Sequence, residues 1–383
     1  MAHHSTVFSQ LLQLVPRHEF ETLARRHHQG RKLRRMSRWS QFLALATAQL
    51  TGRTSLRDVV SNLPAQTRKL YHLGCGPVTR SSLARVNEQQ PAALYEAVFG
   101  KLLERCQSSA PGHGLRFKAK LYSLDASLIE LTLSLFPWAR YQATKGAVKL
   151  HLGLDHGGDL PTFVHLTEGS RHEIQWARTL ELPAGSIVAF DRGFADYAWW
   201  KSLTEREIRF VTRLKRGARY VVEERRDVTW KPGVTSDQAI RLTGRKARDH
   251  GLVLRRIGYR DPETGKHLVF LTNDFDLAAT TIAKVYRERW KIELFFKWIK
   301  QHLKIKSFLG RSHNAVLTQF WIAMIAYLLL AVLKFQLRLR WSLSHILRLL
   351  QLNLFDRRDL AALFQRNAAP PGPPNPQAPL VFS

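Results

Sequence analysis

Residues 120–135 read KLYSLDASLIELTLSL. From Ile129 onward apolar and polar residues alternate, which predicts extended chain with one face buried. Asp125 stands inside the apolar first half, between Leu124 and Ala126. An ionised carboxylate in a buried strand is costly unless it is paired or holds a metal. The stretch therefore predicts β structure and a chemical site together.

Working outward, KLYSLDAS (120–127) and LIELTLSL (128–135) are followed by VKLHLGLDH (148–156) and PTFVHLT (161–167), all β-rich. HEIQWARTLEL (172–182) and FADYAWWKSLTERE (194–207) read as helices. SIVAFDRG (186–193) and IRFVTRLK (208–215) read as strands, the first ending at a second carboxylate, Asp191. Strands alternating with helices predict a mixed α/β sheet, with chemistry at strand ends. Residues 216–265 hold short strand-like pieces broken by Gly, Pro and polar turns, and read as an all-β insertion. HLVFLTND (267–274) returns to the main sheet, and residues 276–303 read as one long helix.

On that helix Tyr286, Arg289, Glu293 and Lys300 lie at offsets 0, 3, 7 and 14, within a stripe of roughly 60°. Most of the remaining surface is apolar, so the stripe faces a polar cleft. The bland alternative is a single Arg289–Glu293 pair at i,i+4. Two strand carboxylates and one helix carboxylate suit a pair of divalent ions and in-line phosphoryl transfer.

These positions resemble a known family. Asp125 in YSLDAS, Asp191 in AFDRGFADY and Tyr286-x2-Arg289-x3-Glu293-x6-Lys300 look like the DDE triad and YREK signature of bacterial insertion-sequence transposases of the cut-and-paste type (insertion sequence family four). LTND (271–274) and the RW, IE and IK pairs that follow also fit, and the resemblance spans about residues 118–335. It implies a ribonuclease-H-like catalytic core carrying an all-β insertion. It implies that Asp125, Asp191 and Glu293 bind two Mg²⁺ or Mn²⁺ ions, and that Tyr286, Arg289 and Lys300 hold the DNA strand. The activity implied is excision and integration of the element at terminal inverted repeats, by a homodimer in a synaptic complex with transposon ends and target DNA. Members of this branch stack a flipped base on an aromatic, for which Trp230 is the candidate. Asp196, five residues after Asp191, is expected to cap a helix or form an ion pair rather than bind metal.

Composition agrees with a polyanion partner. The 383 residues carry a formal net charge of +29, and such an excess commonly serves nucleic acid binding. Residues 1 to about 110 read as helical, and the run 23–38 contains Arg31, Lys32, Arg34 and Arg35 with no acid, which makes it a candidate DNA contact. A helix-turn-helix would also fit there. The stretch 315–333 is about long enough to span a bilayer but reads better as a buried core helix. Cys75 and Cys106 are too few for a disulfide framework and read as packing thiols. The expectations are a cytoplasmic, nucleoid-associated enzyme with no membrane partner. No GxxxxGK loop is present, so no nucleotide cofactor is expected. The expected segments are 1–110, 111–215, 216–265, 266–345 and 346–383, the last a helix with a Pro-rich tail.

Overall fold

The strand that begins the chemistry forms as Leu121–Leu131 (β1), so the two pieces read separately at 120–127 and 128–135 make one run. The computed structural model that contains it describes residues 5–34, 36–142, 144–228 and 232–365. After β1 come Gly146–Asp155 (β2), Leu160–Glu168 (β3), Ile187–Phe190 (β4), Arg209–Arg213 (β5), Tyr220–Arg226 (β6), Val234–Leu242 (β7), Val253–Arg260 (β8) and His267–Thr272 (β9). They form a single mixed sheet in the order β3-β2-β1-β4-β5-β9-β8-β7-β6. The β1–β4 and β4–β5 pairs are parallel, and the other neighbours are antiparallel.

Residues 216–265, read as an all-β insertion, hold β6, β7 and β8, which extend the main sheet through β9, and a short helix, Arg245–Arg248, joins β7 to β8. Their unpaired edge groups are satisfied by continuing the existing ladder, so no second sheet is needed.

Side chains on successive strand residues point to opposite faces, and each face has its own core. Tyr122, Leu124, Val188, Phe190, Phe210 and Leu271 pack with Trp199, Trp200 and Leu203 of the helix Tyr197–Glu205. On the opposite face Leu121, Ile187, Ala189, Val211, Ile257 and Phe270 pack with Ala279, Ile282, Ala283 and Val285 of the helix Ala279–Glu288. The long helix expected over 276–303 is two helices, Ala279–Glu288 and Trp290–His302. Arg289 between them keeps right-handed helical angles (φ −50°, ψ −31°). The ladder tightens there to three-residue bonds, Arg289 N to Tyr286 O and Ile292 N to Arg289 O, both 3.2 Å.

The chain divides into Leu103–Phe320, which holds the sheet, and a second unit of Met1–Leu102 with Trp321–Ser383. In the second unit the C-terminal helices pair with the N-terminal ones. Val7 N donates to Asp356 O at 3.0 Å, and Gln10 Nε2 to Arg358 O at 2.7 Å. The helix Arg38–Thr51 is capped by Ser37, whose hydroxyl accepts from Ser40 N at 3.0 Å. It is buried from Arg38 to Leu50, and after the turn at Gly52 the short helix Leu56–Asn62 buries only Val59. The apolar stretch near 315–333 forms the helix His313–Gln336, and 94% of its most apolar window is buried within the protein. That burial accounts for its composition. Cys106 is buried and its thiol is pushed up to about 12 by desolvation, so it packs rather than reacts.

Candidate active site

Strand register brings the first two carboxylates together. Leu121 to Leu124 of β1 lie beside Ile187 to Phe190 of β4 in parallel. The next residue in each strand is Asp125 and Asp191, so the two sit side by side where β4 ends. Parallel β5 continues the row, with Ala189 beside Val211, which sets Arg213 next in line to Asp191. By alternation Asp125 and Asp191 point to the same face as Leu121 and Ala189, the face covered by the Glu293 helix pair.

Each aspartate is held by its own backbone. Asp125 Oδ1 accepts from Ala126 N at 2.8 Å, and Asp191 Oδ1 accepts from Gly193 N at 2.7 Å. Gly193 permits the second contact, because a Cβ there would lie 2.9 Å from Asp191 Oδ1 and 3.2 Å from Glu173 Oε2. Asp196 caps the following helix by accepting from Trp199 N at 2.8 Å and takes an Arg178 bond at 2.6 Å, as expected for a residue outside the site.

The helix pair adds the other groups. Arg289 Nη2 donates to Glu293 Oε1 at 2.7 Å, and its Nη1 lies 3.6 Å from Asp125 Oδ2. The guanidinium thus bridges a helix carboxylate and a strand carboxylate, well beyond an isolated i,i+4 pair. Tyr286 packs between Phe270, with ring centres 5.1 Å apart and the rings tilted by 43°, and Arg289, 5.6 Å from the ring centre. Lys300 Nζ donates to Ser127 Oγ at 2.6 Å and to Leu128 O at 2.9 Å. Arg289 over Asp125 and Lys300 over Ser127 therefore fix the Trp290–His302 helix across β1 at two points. Lys300→Met is expected to lower stability by roughly 1–2 kcal/mol, a fall of about 2–6 °C in melting temperature by calorimetry. An unchanged melting temperature would remove Lys300 as a tether.

Burial dominates the electrostatics. Desolvation pushes the Asp125 carboxyl up to about 7, Arg289 and the Ala126 amide oppose this, and Asp191 and Glu293 add to it. Burial also raises the Tyr286 phenol and lowers Lys300. The Arg289 guanidinium serves as the cation between two of these carboxylates, Asp125 and Glu293. Among the described residues no three carboxylate, His or Cys groups converge closely enough to ligate one ion in this arrangement. The donor types suit divalent ions, and Arg289 would have to yield its place to them.

Other predicted residues fall elsewhere. Arg31, Lys32 and Arg34 are exposed in the loop between the helices Arg17–Arg26 and Arg38–Thr51. Arg35 and Trp230 lie outside the described residues. Arg38, part of the same basic run, is buried and donates to Gln90 Oε1 and Pro91 O, so it serves packing. Sequence reading missed Arg213 and Ser127, whose places depend on strand pairing that no local pattern reveals.

Comparison with known proteins identifies the family of the chain. Residues 116–329 match the family model described as a transposase DDE domain, and residues 3–76 match a domain of unknown function (DUF4372). A protein of Sinorhizobium fredii that carries a transposase name, y4zB, is 35% identical over 301 residues, covering 77% of this chain and 81% of its own. A Geobacillus stearothermophilus protein named for the transposase of insertion sequence element IS5377 is 27% identical over 269 residues, covering 69% and 70%. The piggyBac transposase, solved by cryo-EM as a synaptic complex with hairpin DNA, aligns over 95% of this chain and 81% of its own, with TM-score 0.45 and 10% identity. The matched domain covers more than half of the chain and contains the clustered carboxylates, and the chain belongs to the DDE transposase family, enzymes that cut and join DNA in transposition.

Proposed function

We propose that this chain excises and integrates its own insertion sequence by cutting DNA at terminal inverted repeats, with Asp125, Asp191 and Glu293 as the catalytic carboxylates. The observation that carries this reading is the side-by-side placement of Asp125 and Asp191 on one sheet face, with Arg289 and Glu293 set against Asp125. The YREK spacing supports the cut-and-paste branch, with a ribonuclease-H-like core and β6–β8 as its insertion. Asp125, Asp191 and Glu293 would hold two Mg²⁺ or Mn²⁺ ions, which when bound supply activation of the attacking oxygen and charge stabilisation at the leaving oxygen.

The protein's own groups do the positioning. Arg289 carries a planar fork suited to a phosphate and would exchange its carboxylate partners for the DNA backbone. Tyr286, packed on Phe270, keeps that fork aimed. Lys300 holds the helix to β1 and adds positive charge beside the strand. In the first step a water oxygen bonds to phosphorus as the bond to O3′ breaks. In the second, the freed 3′-hydroxyl gives up its proton and its oxygen bonds to a target phosphorus as that phosphorus loses its bond to the target O3′, which leaves as a hydroxyl. Synapsis of two ends requires two such sites, hence a homodimer in the cytoplasm. The exposed Arg31, Lys32 and Arg34 and the residues of β6–β8 add salt-sensitive affinity.

The test is cleavage of linear DNA carrying the repeats that flank the gene, in Mg²⁺ or Mn²⁺. We expect nicks at the repeat boundary and joined products. Cleavage of a shuffled-end substrate is expected to be at least about tenfold slower. Binding without any cleavage would instead favour a DNA-binding derivative of such an enzyme.

A further inference from the structure

The LTND turn and a buried arginine behind it have no role in the site described above. Arg255, on β8, is 2% exposed. Its Nε and Nη2 donate to Asp237 Oδ1 and Oδ2 on β7, each at 2.8 Å, a two-pronged pair sealed in the core. Its remaining nitrogen leaves the sheet, and Nη1 donates to Leu277 O at 2.6 Å and to Asp274 O at 3.2 Å. Leu277 lies two residues before the helix Ala279–Glu288, which leads through Arg289 into Glu293.

The turn itself is bound from both sides. Asp274 is 2% exposed, and its Oδ1 accepts from Asp276 N at 2.9 Å and Leu277 N at 2.8 Å. Its Oδ2 faces Arg209 Nη1 at 3.3 Å. Asn273 Oδ1 accepts from Phe210 N at 2.8 Å, while its amide donates to Ile208 O at 3.0 Å. The chain between β9 and the Glu293 helices is thereby nailed to β5 and β8 by directed bonds.

Directed bonds matter here because the rest of the contact is apolar. Ala279, Ile282, Ala283 and Val285 pack on the sheet, and such packing resists separation but is non-directional, so it sets helix height and rotation only loosely. From Leu277 to Glu293 is a lever of about 24 Å at helical rise, so a tilt of about 10° at its root would move the Glu293 carboxylate by about 4 Å. We infer that Arg255, held in its fork by Asp237, is a positioning residue that sets the root of the Tyr286–Arg289–Glu293 helix pair and so the distance from Glu293 to Asp125. This inference rests on the proposed role of Glu293. It makes the outer strands a structural input to the site as well as a surface.

The test separates position from stability. Arg255→Met alone strands the Asp237 carboxylate in the core. The double variant Arg255→Met/Asp237→Leu removes both charges and fills similar volume, and such replacements of a buried pair usually preserve the fold. It cannot replace the bonds to Leu277 O and Asp274 O. We expect a melting temperature within a few degrees of wild type, amide hydrogen exchange across 279–292 faster by about tenfold or more, and exchange in β7 and β8 little changed. Cleavage at saturating DNA should fall by about tenfold or more while DNA affinity stays within about twofold, the split expected when only the placement of a reacting group is lost. Glu293→Gln is run beside it. If Glu293→Gln is inactive but the double variant has wild-type exchange and rate, the positioning role is wrong. If Glu293→Gln still cleaves, the reading of the site itself is wrong. Should the double variant not fold, Arg255→Lys keeps a cation beside Asp237 but cannot span Asp237 and both carbonyls. It should show the same pattern, and wild-type exchange and rate in it would overturn the inference.

Discussion

Asp125→Asn is expected to slow DNA strand cleavage by at least about 10³-fold while leaving DNA affinity within about twofold. The substitution keeps the size of the side chain and its acceptor for the Ala126 amide. It removes the charge that faces Arg289 across 3.6 Å and that the proposed ions would need. Asp191→Asn and Glu293→Gln are expected to cost about as much, because groups that act as one unit do not lose their contributions separately. Combining two of these substitutions should therefore cost little more than one. Chelation by EDTA should give the same loss in the wild type, reversed by Mg²⁺ or Mn²⁺. Measured single-turnover cleavage is the readout, with affinity by gel shift as the control. Retention of a tenth or more of the wild-type rate in Asp125→Asn would sink the assignment.

The same residue should shape stability in the opposite sense. Asp125 has its carboxyl raised from 3.8 to about 7, with desolvation as the main cause. The folded chain therefore holds this proton more tightly than the unfolded chain does. Its contribution is fully favourable below the unfolded value near 3.8 and is lost as pH rises through about 7. Relative to Asp125→Asn, the wild type should lose about 2 kcal/mol between pH 5 and pH 8, allowing for partial access of water to the side chain. At pH 8 Asp125→Asn should melt roughly 5 °C above wild type, and at pH 5 the gap should shrink. Divalent ions should raise the wild-type melting temperature at pH 8 and leave the variant nearly unmoved. Calorimetry at the two pH values decides it. Equal melting curves would show that Asp125 is not held under electrostatic strain. The trade of stability for a charged, half-desolvated site is what a carboxylate poised for a cation should display.

Much of this was legible in the chain alone. Asp125 inside an apolar strand and Asp191 at the end of another marked themselves, because burial of a lone carboxylate needs a reason. The spacing of Tyr286, Arg289, Glu293 and Lys300 marked four polar groups along one helical stretch, which the structure divides into two helices at Arg289. Asp196 could be set aside as a cap from its place at a helix start, and the structure gives it that bond. The buried nature of the helix near 315–333 followed from its interruptions by Thr318, Gln319 and Tyr327.

Other features were beyond local pattern. The break at Arg289 leaves backbone angles helical, so no glycine or proline announces it. Residues 216–265 show strands and turns, but whether those strands form their own sheet or lengthen another depends on which edge they meet. Arg38 belongs by composition to a basic run exposed to solvent, yet Gln90 and Pro91 draw it into the interior. Sequence alone determined most of the strands and helices, the charge and the carboxylates and cations on offer, since propensity, periodicity and side-chain chemistry are local properties. Tertiary structure decided the row Asp125–Asp191–Arg213, the Arg289 bridge from Glu293 to Asp125, and the Arg255 pin at the root of the helix pair. Each of these depends on strand register or on contacts between residues far apart in the chain, which are settled only when the sheet closes.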